Sequence, residues 1–127
     1  MSQALMAEIV RALRALDGFD QRKHNKPISV KRPSWELLFA GRELDGNRWR
    51  NVWSLTVYGS RDDVPDAESR IMAATQMVSD AILPIPCLLI GDFSRENSFP
   101  VVDPELGQRE DKGQALFTMA SCVLKEA

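Results

Sequence analysis

The chain has one histidine, His24, two cysteines, Cys87 and Cys122, and no long unbroken apolar run. Each scarcity removes a class of function. A zinc site takes four Cys or His ligands, or three and a water, and here the two cysteines stand far apart with no CxxC spacing, so no Cys/His metal centre is expected. The usual burial of free cysteine predicts two thiols packed in apolar strands over 85–90 and 115–124, with a disulfide between them left open by sequence alone. The longest apolar stretch, 82–91, is cut by Pro84 and Pro86 and falls far short of the roughly 20 residues that cross a bilayer, so no membrane span is expected. No basic residue precedes Arg11, and Glu8 interrupts the first apolar stretch, a pattern of helix rather than secretory signal. The expected location is the cytoplasm.

Catalytic groups are equally sparse. His24 stands among lysines and arginines that oppose its protonation, and no serine or cysteine lies in a nucleophile motif. Asp92, after Ile90-Gly91, resembles a carboxylate at a strand end but has no partner to name. Asp62, Asp63, Asp66 and Glu68 lack the alternation and glycine of a calcium loop and read as a solvated turn and helix start. Neither an enzyme nor a cofactor is expected, and the chain contains no internal repeat or low-complexity segment.

What is present is an ordinary globular composition. The 127 residues are 44% hydrophobic and 27% charged, enough to bury about two thirds of the unfolded chain's surface in one domain, 1–127. Leu5, Ile9, Leu13 and Leu16 follow Ser2 at helical spacing, and Gly18 closes that helix. Residues 19–33 form a basic loop with Ile28-Ser29-Val30 as a possible edge strand between Pro27 and Pro33. A strand over 35–40, the Asp45-Gly46-Asn47 turn and an alternating strand from Trp49 predict a hairpin. In its second strand Trp49, Trp53, Leu55 and Val57 are expected to face the core.

A second helix opens at Pro65-Asp66 and buries Ile71, Thr75, Val78 and Ile82 with Met72 alongside, until Pro84 and Pro86 end it before a short strand at 87–90. Residues 91–114 read as a long, mostly irregular loop, of a length that is often functional and could order on assembly. Ala115 to Leu124 is apolar on both faces and belongs inside the sheet or under a partner. The predicted fold class is α+β, a single antiparallel sheet with two helices packed on one face.

Charge is divided unevenly. Residues 1–61 hold eleven Lys/Arg against six Asp/Glu, a balance of +5; residues 62–127 hold five against twelve, a balance of −7. Such halves suit either two solvated faces or copies of one subunit meeting basic side to acidic side. Five cations between Arg22 and Arg32 could also contact phosphates, although no aromatic for base stacking accompanies them.

The succession Glu43-Leu44-Asp45, Trp49, Leu55, Val57, Val64-Pro65-Asp66, Glu68, Met77 and Ser79-Asp80-Ala81-Ile82 resembles the tail terminator proteins of long-tailed bacteriophages, the minor tail protein U family. About 40 residues carry the resemblance, and the first helix and last strand extend it loosely. It implies an α+β subunit that assembles as a hexameric ring on the finished tail tube, at the head-proximal end of the virion tail. The ring stops tube polymerisation and offers the surface to which the head's connector attaches.

Under that reading the partners are other copies of the chain, the tail tube protein and the head-tail connector protein, and viral DNA meets the ring only on passing through its lumen. Arg22, Lys23, Lys26, Lys31 and Arg32 on one side, and Asp62, Asp63 and Asp66 on the other, become candidate contacts between subunits or with the tube. Reversing Arg22, Lys23 and Lys26 to Glu would then weaken ring formation in a folded monomer. The family pattern calls neither for the basic run nor for Leu83-Pro84-Ile85-Pro86, and no single contact residue is carried over from it. The other readings are a different head-tail joining protein, such as a connector or head-closure component, and a small nucleic-acid-binding module using the basic loop.

Overall fold

Among the described residues two helices and six strands follow one another as α1 (Ser2–Arg14), β1 (Asp20–Gln21), β2 (Ser34–Asp45), β3 (Arg48–Tyr58), α2 (Ala67–Ile82), β4 (Leu88–Ile90), β5 (Ser94–Val102) and β6 (Gln114–Glu126). The structure is a computed structural model, and it describes residues 2–23, 32–59, 67–102 and 114–127. The strands form one sheet in the order β1-β2-β3-β6-β4, with β5 pairing β6 beside β4. The fold is α+β, and the sheet is antiparallel except at its first edge, where β1 runs parallel to β2.

One face of the sheet makes the core. The register sets Trp53 opposite Leu124, Leu55 opposite Cys122 and Val57 opposite Ala120, so the three pairs share a face by the two-residue period of a strand. Leu5, Ile9 and Leu13 of α1 and Ile71, Ala74, Val78 and Ile82 of α2 bury against this face in a single cluster with Trp35. The four-residue and three-residue spacings that predict these helical stripes are the ones buried. Met72 is exposed, because it lies one position round the helix from Ile71.

The expected strand over 115–124 lies inside the sheet, as its double apolarity predicts, but its two faces are unequal. Ala120, Cys122 and Leu124 are buried, whereas Val123 on the opposite face is exposed. The long loop expected over 91–114 is corrected in its first part: residues 94–102 are a strand. β4 covers only the end of β6, from Leu124 to Glu126, so the backbone of Gln114 to Ser121 needs another partner, and β5 supplies it. Residues 103–113 lie outside the described residues, as do Ile28-Ser29-Val30 and Val64-Pro65-Asp66. The basic loop of 19–33 likewise contributes a short strand, because Asp20 and Gln21 pair with Ser34 and Trp35.

Between β4 and β5 the chain runs so close to β6 that a side chain does not fit. Gly91 donates to the Val123 carbonyl at 2.8 Å, and a Cβ at this position would stand 2.9 Å from that same oxygen. Cys87 also departs from expectation. It is exposed rather than packed in a strand, with φ 62°, and β4 begins only at Leu88. Proline 84 and 86 have no N–H to give a ladder, so pairing starts after them.

Candidate functional site

The β2–β3 hairpin is longer than the sheet that supports it. β6 accompanies β3 from Tyr58 only as far as Val52, while the hairpin continues to Asp45 and Arg48. Its turn is the two-residue Gly46-Asn47, with φ 59° at Gly46, the position where the tight hairpin turns demand glycine. Midway, the register steps from Phe39 opposite Trp53 to Gly41 opposite Val52, so Ala40 is the extra residue of a bulge and Gly41 takes φ 121°.

The bulge resets the alternation of β2, and the consequence is a hairpin tip with two unlike faces. Arg42 stands opposite Asn51 and Leu44 opposite Trp49, on the face that continues Trp53 and Leu55. The other face carries charge: Arg50 pairs with Asp45, and Lys125 with Glu43 at 3.0 Å. Arg48 donates to the carbonyl of Ala127. The polar side is thus held by neighbouring groups of its own molecule, and the apolar side is not covered. Leu44 and Trp49 are each 60% exposed, against 1% for Trp53 four residues along the same strand face, and Phe39, opposite Trp53, is exposed as well.

Alternation alone predicts Trp49 in the core. The alternation is correct and the burial is not, because the residues of α1 and α2 that cover this face pack against Trp53 and its neighbours and leave the tip open. A signal lay in the sequence all the same: Trp49 follows the turn by one residue and is flanked by Arg48 and Arg50.

The residues singled out for their charge divide differently. Arg22 is paired and partly buried. Its Nη1 donates to Oε2 of Glu36 at 2.7 Å, its guanidinium lies 5.2 Å from the centre of the Tyr58 ring, and Tyr58 donates its hydroxyl to Oε1 of Glu36 at 3.1 Å. Arg32 lies 3.5 Å from Asp20, and Lys23 is exposed. Lys26, Lys31, Asp62, Asp63 and Asp66, with His24, lie outside the described residues. Asp92 is exposed at the β4–β5 junction. Among the described residues no group of three or more His, Cys, Asp or Glu is placed to hold a metal, and no helix is long and apolar enough to cross a membrane.

In comparisons with known proteins, no family model matches the chain and no curated protein matches it significantly.

Proposed function

We propose that this chain is a structural, ring-forming subunit of the tail-terminator kind, which caps a phage or prophage tail tube and offers an attachment surface for the head. The observation that carries the proposal is the Leu44–Trp49 pair, two large apolar side chains opposite one another on a hairpin that outruns its own core. A monomer gains nothing by leaving such a pair in water, and tryptophan and other aromatics are the residues that subunit interfaces concentrate. The succession of motifs from Glu43 to Ile82, which includes this same tip, supports a terminator rather than an unspecified oligomer.

The state of the basic residues weighs against the nucleic-acid reading. Arg22 and Arg32 each have a carboxylate partner within the chain, which reduces the charge that the run from Arg22 to Arg32 could offer to phosphates.

Negative-stain electron microscopy of the concentrated protein, with and without a divalent cation, tests the proposal. Closed six-fold rings with a central hole are the expected result. Small featureless particles, together with DNA binding that falls steeply with salt, would overturn it in favour of the nucleic-acid module. Capture of the protein by tailless heads, without tubes, would move it to another head-tail joining role.

A further inference from the structure

A second exposed surface combines apolar walls with carboxylates, where the hairpin tip combines apolar side chains with an arginine. Between α2 and the β4–β5 junction lies an open groove of about 420 Å³. Leu83, Ile90 and Phe93 give it apolar walls, and Asp80 and Asp92 place two carboxylates at it. Leu83 is 70% exposed, the most exposed of the large hydrophobic residues described. Asp80 accepts one hydrogen bond from Gln76, at 2.9 Å, which leaves most of its acceptor capacity open. The hairpin tip offers the converse: Leu44 and Trp49, with Arg42 exposed on the same face.

We propose that the hairpin tip of one copy seats in this groove of the next, with Trp49 and Leu44 against Leu83, Ile90 and Phe93, and Arg42 toward Asp80 and Asp92. The inference rests on the ring-forming reading and names the contact that would build the ring. Its first support is chemical: an aromatic anchor beside an arginine is the usual make-up of an interface hot spot, and the groove supplies both an apolar seat and the opposite charge. Its second support is positional. The tip belongs to β2 and β3 and the groove to α2 and the β4–β5 edge, with β6 between β3 and β4, about 10 Å across at the usual strand spacing. Two different complementary patches at separate places on the subunit make a heterologous contact. Such contacts propagate head to tail and close into a ring when the rotation per subunit allows, whereas one self-complementary patch would stop at a dimer.

The contact is tested with two folded variants and their mixture. Trp49→Asp disables the tip and leaves the groove; Asp80→Arg with Asp92→Arg disables the groove and leaves the tip. All three positions are exposed, and circular dichroism checks that each variant keeps its fold, with Trp49→Ser as the substitute tip variant if Trp49→Asp does not. By analytical ultracentrifugation each variant alone is expected to associate at least about tenfold more weakly than the native chain. Mixed one to one, they are expected to form a heterodimer and nothing larger, because only one intact tip meets one intact groove.

Assembly of either variant at native strength overturns the contact, as does a mixture that yields no heterodimer. A native chain that stays monomeric at roughly 1 mM, the weak end of the affinity scale, also overturns it. The ring reading fails separately. Native rings that persist in both variants would retain the ring and discard this contact, while open filaments lost in both variants would retain the contact and discard the closed ring.

Discussion

Tyr58 donates its hydroxyl to Oε1 of Glu36 at 3.1 Å, from one strand to the next on the face of the sheet away from the helices. Arg22 takes the other carboxylate oxygen at 2.7 Å. Three elements are thereby joined: the residue following β1, the edge of β2 and the end of β3. Glu36 is buried, so its charge depends on donors such as these two.

Removing either donor should therefore destabilise the fold, and unequally. Arg22→Ala is expected to cost about 2–4 kcal/mol, below the top of the range for a broken buried pair because water reaches part of Arg22. Tyr58→Phe, which deletes one hydrogen bond to a carboxylate, is expected to cost about 1–2 kcal/mol. Urea unfolding with an unchanged slope and a lowered midpoint would check both values. The same pairing changes the meaning of a charge-reversal test: Arg22→Glu would set a second carboxylate against Glu36, so assembly is better probed at Lys23, which is exposed.

Tyr58 also sets a dependence on pH. Burial first, and then the neighbouring Glu36 carboxylate, push its hydroxyl from 10.0 up to about 12. The folded chain therefore holds a proton that the unfolded chain releases near pH 10. The stabilisation is complete below pH 10 and is lost as pH rises from 10 through 12. Tyr58 is the sole tyrosine, so the rise in tyrosinate absorbance reports it directly: near pH 12 in the native protein and near pH 10 in denaturant.

The two thiols should differ sharply in reactivity. Cys87 is exposed and Cys122 is buried, with burial pushing the latter's thiol up to about 12. Because the thiolate is the reactive species, a disulfide reagent at pH 8 is expected to modify one thiol per native chain and the second only on unfolding. Mass spectrometry of the modified protein would place the first adduct on Cys87.

The tryptophans should separate in the same way. Trp49→Ala is expected to change monomer stability by no more than about 0.5 kcal/mol, as at other exposed positions. Trp53→Ala removes a fully buried ring from the core and is expected to cost about 3–5 kcal/mol. At dilutions where the protein is monomeric, acrylamide should quench the Trp49 share of the fluorescence and spare that of Trp35 and Trp53.

Local chemistry determined a good part of this protein. Leu5, Ile9 and Leu13, and Ile71, Val78 and Ile82, lie where helical spacing puts them. Gly46 turns a hairpin, and Pro84 and Pro86 delay the next strand, because these effects act over one or two turns of chain and need no distant partner. The tertiary structure decided what depends on length and neighbours. Residues 94–102 became a strand because β6 is longer than β4 and its backbone needed pairing. Trp49 stayed in water although it lies on the core side of β3, because alternation specifies a side chain's face but only the reach of the opposing helices specifies whether that face is covered. Arg22, legible in the sequence only as one cation in a basic run, became a paired, partly buried residue when Glu36 and Tyr58 arrived beside it from other strands.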